Sequence, residues 1–391
     1  MNKIKLDDSN NIYYQFYKDL LDSYICNIKN KNCYNYNNIN NIIINCNIEP
    51  NDINMNKLLL SSSNEVQKNK IIKLDNDNYY ITNKFAIEED VSLIKTISYN
   101  NILITAVTIL KDKRISLGLA DSKFIVLNKS NYEIDILIDD KLLCVYSIIQ
   151  LKNGDVCISY QTLIRVLEIN NKNYKIIQDI KDAHESSIYG LIETSTNELI
   201  SCSYDATVKI WNKNDNKNLY SLSYIIEDEN IISNVLEIKE NEIVFDVMSS
   251  MGMIFQNLNN CSLIKFYDYK KHKEIKTIEN LNLNAGLSNR MALLNNCLVI
   301  VGHNVIYIFN IYNYSLIKKF KVEQNLRVIL KLNEDMILSG DTIRNLLQLN
   351  IMETEILMKE TDVDYICALG KVDNKIIVGG KGKLLVYEIH N

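Results

Sequence analysis

Residues 183–211, AHESSIYGLIETSTNELISCSYDATVKIW, bring together His184, Ser201, Asp205 and the chain's single tryptophan, Trp211. Three of these types can do hydrolytic chemistry together: a carboxylate orients an imidazole, and the imidazole takes a proton from a hydroxyl nucleophile. They also have a structural reading. A buried indole N–H and a buried imidazole each need a hydrogen-bond partner, and an aspartate in a turn accepts from backbone N–H groups.

Other candidate chemistry is weaker. The remaining histidines, His272, His303 and His390, show no metal-ligand spacing, and the nine cysteines include no CxxC pair. The segment IVGGKGKLLVYEI at 377–389 lacks the GxxxxGK[ST] spacing of a phosphate loop and runs into a predicted strand instead of a helix. The acidic runs Glu88-Glu89-Asp90 and Asp139-Asp140 fall in predicted turns, where carboxylates are solvated. No catalytic residue, cofactor or metal is therefore expected.

The elements that must position these residues are short strands. Around the tetrad, 188–193, 199–203 and 207–211 read as strands separated by tight polar turns. In that setting the Ala-His pair, the SCSYD turn and the TVKIW strand resemble a repeat of the WD-repeat family in order and spacing. The resemblance implies that His184 lies in the loop entering the innermost strand, Ser201 on the second strand, Asp205 in the turn and Trp211 at the end of the third. It assigns all four to a hydrogen-bonded brace, not to hydrolysis.

Similar strand groups recur about every forty residues from residue 69 onward, as expected for four-stranded propeller blades. ILITAVTIL, KRISLGLAD and SKFIVLN form one group, in which Asp121 matches Asp205 while Leu117 and Leu127 replace Ser201 and Trp211. LLCVYSIIQL, VCISY and LIRVLEI form the next, and four more follow the tetrad. The last, YICALGK, KIIVGG and LLVYEI, lacks an outer strand, which the resemblance implies is supplied by VSLIKTIS at 91–98. The expected fold is all-β, a WD-repeat-like propeller of seven blades spanning 69–391. The alternative is eight, with 70–89 as a degenerate blade, 91–98 as its own outer strand and 57–62 closing the ring.

Residues 1–68 form a separate N-terminal segment. Tyr13, Phe16, Tyr17, Leu20, Tyr24 and Ile28 lie at helical spacing and predict a helix over 12–28, followed by an Asn-rich low-complexity stretch. The chain has 391 residues, a net charge of -5 and no apolar run long enough to span a bilayer. Neither nucleic-acid binding nor membrane insertion is expected, and the default is a soluble, cytoplasmic protein. With eleven glycines and one proline, turns must draw on Asn and Asp, which tolerate left-handed backbone.

The functional expectation is a non-catalytic scaffold or adaptor that binds one or more proteins or peptides. By blade position, Tyr204, Tyr160, Gln161, Arg165 and His303 are candidate contacts on the face where partners of such propellers dock. Two alternatives stand beside it. A ubiquitin-ligase substrate adaptor would need an F-box-like helical bundle in 1–68, and a propeller hydrolase or lyase would need carboxylates converging on the ring centre.

Overall fold

The computed structural model describes residues 70–74, 78–82, 91–141, 144–214, 219–248, 262–283, 289–352 and 356–390. The helix expected at 12–28 and the low-complexity stretch after it lie outside the described residues. Those described are strands joined by turns, with no helix among them. Among the described residues, half of the non-glycine positions with left-handed φ are Asn or Asp, Asn100, Asn197 and Asn304 among them, while only Gly154 and Gly382 supply that conformation from glycine. The glycine-poor composition thus leaves its mark in the turns.

The repeating unit is a four-stranded antiparallel meander, shown by Ile188–Glu193, Leu199–Ser203, Thr207–Asn214 and Leu219–Glu227. Its register pairs Leu191 with Ser201, Ser201 with Lys209 and Trp211 with Leu222. Second strands such as Ile115–Leu119, Val156–Tyr160 and Leu199–Ser203 are buried throughout, because a neighbouring sheet covers each face. The outermost strands carry the charge: Asn173–Ile180 and Lys273–Leu281 are largely exposed.

Successive sheets stand around a ring like the blades of a propeller. The first strand of each sheet touches that of the next, and the contacts run through the whole circuit back to Val91–Ile109. Buried apolar clusters join neighbours; one packs Cys157, Ile164 and Val166 against Leu199, Trp211 and Tyr220 of the following sheet. Near the ring centre the spacing leaves little room: a Cβ on Gly340 would lie 2.3 Å from Ile366 Cγ2 of the next sheet. The centre is filled by Leu103, Tyr146, Tyr189, Tyr204, Ile231 and Cys367, contributed by several sheets.

The strand Val91–Ile109 serves two sheets. Its first part pairs with Lys381–Ile389, matching Ile97 to Leu384 and Lys95 to Val386, and its second part pairs with Ile115–Leu119. Between them the backbone turns at Asn100 and Asn101, both at positive φ. The outer strand expected from 91–98 is thus the one observed. The hairpin of Lys70–Leu74 and Asn78–Thr82 forms no sheet of its own, as the eight-blade alternative would require. It adds in parallel to the rim of another sheet, Asn78 opposite Lys319 and Tyr80 opposite Lys321. The physical reason is that 91–98 is already taken by Lys381–Ile389, so the hairpin must find an edge elsewhere.

A chain beginning at residue 99 should melt roughly 10 °C below one beginning at residue 91, because it exposes the edge of Lys381–Ile389 and the apolar faces beside it. It should also associate at high concentration. Thermal melts with sedimentation velocity check this, and two monomers with equal melts would contradict the closure role.

Candidate functional site

The four residues of the 183–211 stretch meet in one chain of hydrogen bonds. Thr207–Asn214 brings Trp211 against Leu199–Ser203, and the Trp211 indole N–H donates to Ser201 Oγ at 2.9 Å. Ser201 Oγ lies 2.7 Å from His184 Nε2, and His184 Nδ1 lies 2.8 Å from Asp205 Oδ2. The consistent assignment has Ser201 donating to Nε2 and Nδ1–H donating to the carboxylate. Asp205 also accepts from the Glu185 N–H, the Thr207 N–H and the Thr207 hydroxyl, so it ties the loop ahead of the first strand to the turn after the second.

This order of contacts is that of a charge-relay set, but its access is not. Ser201 has no exposed surface, and its oxygen already accepts from Trp211. No substrate carbonyl can approach Oγ, and the set acts as a brace. Burial pushes the His184 imidazole below its ordinary pKa, the hydrogen bond and charge of Asp205 offsetting only part of the effect. Burial alone would raise Asp205, but hydrogen bonds from His184 and Thr207, together with the Glu185 N–H, hold it below the usual carboxylate range.

A second buried polar joint has no counterpart among the sequence expectations. Asp246 Oδ1 accepts the N–H groups of Ser233 and Asn234 at 2.9 and 2.8 Å. Its Oδ2 accepts from Arg290 Nη2 at 2.6 Å, and the same Nη2 reaches Ser233 Oγ at 2.5 Å. The Arg290 N–H donates to Asn234 Oδ1, which joins the start of one sheet to the start of the next. Arg290 and Asp246 are both wholly buried, and Arg290 Nε and Nη1 have no partner.

Three of the five expected contact residues are not on the surface. Tyr204 is 0 % exposed: its N–H bonds to Ser187 O, and its ring turns inward to stack on Tyr189 at 4.0 Å. Tyr160 is 2 % exposed, packed in the cluster with Val145 and Ile158 and covered by the Arg165 guanidinium 5.7 Å above its ring. Arg165 is 6 % exposed because its guanidinium is spent on Asp179, at 2.7 and 2.8 Å, and on Asp140. Gln161 is half-buried with its N–H on Cys144 O. His303 alone is exposed.

His303 stands on the wall of an open groove of about 450 Å³. Cys297–Asn310 and Leu316–Lys331 form that wall, with Tyr307 opposite Lys319 and Val305 opposite Lys321, so these side chains share one face. Asn282, at the end of the preceding sheet, closes the groove: its carbonyl accepts the His303 N–H at 2.9 Å, and its N–H donates to the Tyr307 hydroxyl at 3.0 Å. The backbone approach is tight, since a Cβ on Gly302 would lie 2.3 Å from Asn282 O. Lys319 Nζ sits 5.3 Å from the Tyr307 ring centroid, within cation–π range. Neither Lys319 nor Lys321 forms an ion pair among the described residues, and Glu323 stands at the end of the lining. Two lysines at i and i+2 in a predicted strand were the available signal, since that spacing puts both on one face.

Among the described residues no group of three His, Cys, Asp or Glu side chains is placed to hold a metal ion. No family model matches the chain, and no curated protein matches it.

Two outcomes test the buried joints. The folded chain disfavours protonated His184, whereas the unfolded chain takes up a proton below about pH 6.5, so stability is full well above that pH and falls as the pH drops through and below it. The His184→Asn variant should melt lower at neutral pH but with a flatter slope over that window; an equal slope in thermal melts would contradict the assignment. Arg290→Met should cost about 3–5 kcal/mol by stranding the Asp246 charge, and adding Asp246→Asn should recover more than about 1 kcal/mol. Urea denaturation of the single and double variants measures this recovery, and a double variant less stable than Arg290→Met would refute the ion-pair account.

Proposed function

We propose that the protein is a non-catalytic scaffold or adaptor that binds other proteins or peptides through the surface of a WD-repeat-like propeller of seven blades. The blade count is supported by the antiparallel register around the ring, with Val91–Ile109 and Leu316–Lys331 each contributing to two adjoining sheets. The family reading is supported by the hydrogen-bonded order of Trp211, Ser201, His184 and Asp205.

One observation carries the functional reading. The residues with hydrolytic chemistry are buried, while the open polar groove presents two lysines and a histidine on a rigid sheet face. A sealed polar set stabilises, and an open one on a rigid wall recognises. A cytoplasmic location belongs to this proposal.

Affinity capture with the full chain and with residues 69–391, followed by mass spectrometry, tests it. The expected result is a partner recovered in stoichiometric amount by both chains. A chain that recovers none and instead hydrolyses a general ester or glycoside substrate would overturn the reading.

A further inference from the structure

The groove beside His303 has a chemical preference of its own. Lys319 and Lys321 stand on one face as alternate residues of a strand, their backbone positions roughly 7 Å apart. No carboxylate of the described chain pairs with either, although the chain as a whole carries a net charge of -5. Tyr307 is buried behind them, its hydroxyl accepting the Asn282 N–H, and it gives the Lys319 side chain a fixed apolar wall. Glu323 sets the polarity, repelling a second anion at its end and leaving the lysine end favourable.

The backbone edge decides how a partner can be held. At Lys319 and Lys321 the edge of Leu316–Lys331 is already paired with Asn78–Thr82. An incoming peptide cannot add there as a further strand and must be held by side chains. Carboxylates at alternate positions of an extended peptide have the same spacing as the two lysines. Resting on the scaffold reading above, we propose that this groove binds an acidic peptide segment of a partner protein. Lys319 and Lys321 pair with carboxylates two residues apart.

The test uses the full chain and a fluorescein-labelled peptide of alternating Glu and Ser, read by fluorescence anisotropy. Its counterpart with Gln for Glu, and one with phosphoserine for Glu, are titrated beside it. The Glu peptide should bind, weaken on raising salt, and outcompete the Gln peptide. Lys319→Gln and Lys321→Gln should each weaken binding roughly threefold, and the pair roughly tenfold. Lys318→Gln lies on the opposite face of the same strand, with Nζ on Ile351 O, and should leave binding unchanged. If Lys319→Gln loses its normal melt through the lost contact with Tyr307, Lys321→Gln, an exposed position, carries the comparison alone.

The proposal is overturned if the wild-type chain fails to bind the Glu peptide, if the Gln peptide binds equally well, or if the folded Lys321→Gln variant binds as tightly as wild type. Binding of the phosphoserine peptide more than about tenfold tighter than the Glu peptide would overturn it in favour of a phosphate site. A partner captured equally by wild type and the double variant would sink the groove assignment while leaving the scaffold reading intact.

Discussion

The pairing of Lys381–Ile389 with residues 91–98 is the constraint on which the other contacts depend. Each sheet has two apolar faces and needs two neighbours; a row of such sheets leaves a bare face and an unpaired edge at each end. Joining residues so distant in sequence costs surprisingly little in chain entropy, about 2 kcal/mol more than closing a loop one tenth as long. Leu384 and Val386 are fully buried against Ile104, Ile115 and Leu117 across the seam, and at about 1.5–3 kcal/mol for each such side chain they outweigh that difference. Closure is favourable because the ends of the ring are apolar. The clusters on either side of the seam, around Ile104 and Leu384 and around Val378 and Leu385, belong to the same continuous packing as those elsewhere in the ring.

Within that packing, buried polar groups do two different jobs. Trp211, Ser201, His184 and Asp205 form a neutral-to-anionic hydrogen-bond chain that braces one sheet with its entry loop, whereas Arg290 and Asp246 form a buried ion pair, supported by Ser233 and Asn234, that joins one sheet to the next. In the first sheet Leu117 and Leu127, both fully buried, occupy the places of Ser201 and Trp211. An apolar joint is tolerant of exchange, whereas a polar one needs every partner present, because an unpaired group in a low-dielectric interior costs its whole desolvation. The Arg290 joint retains unpartnered N–H groups on Nε and Nη1, so its stability rests mainly on the single contact to Asp246 and Ser233 through Nη2.

The local features were legible in the sequence because their causes are local. Strand texture, Asn and Asp turns, and the Trp-Ser-His-Asp order all follow from residues near one another in the chain, and 91–98 could be matched to a vacant edge by its likeness to other outer strands. Burial of Tyr160, Tyr204 and Arg165 was not legible. A tyrosine at a turn can point out or in, and what draws Tyr204 inward is Tyr189 and Tyr146 at the ring centre, a tertiary fact. Likewise Arg165 reads as an exposed cation until Asp140 and Asp179 are brought to it from separate segments. The five arginines held a signal in a chain whose basic residues are overwhelmingly lysine. Arg114, Arg165, Arg290 and Arg344 each engage an aspartate, and Arg327 lies over the Tyr365 ring, uses for which a planar guanidinium is better suited than an ammonium.

The lysines are used differently. Lys123, Lys239, Lys265 and Lys383 are each satisfied by a carboxylate of the chain itself. Lys319 and Lys321 stand beside a cavity with no such partner, on a strand whose far face is fixed by Phe320 and Val322 in the core. Lys319 rests over the Tyr307 ring and Lys321 is exposed, and a flexible ammonium loses little by staying solvated. The rigid wall behind them lowers the ordering cost that a loop-borne pair would incur on binding an anion. Folding therefore accounts for the buried arginine joints, whereas no carboxylate of the described residues holds either lysine of this pair.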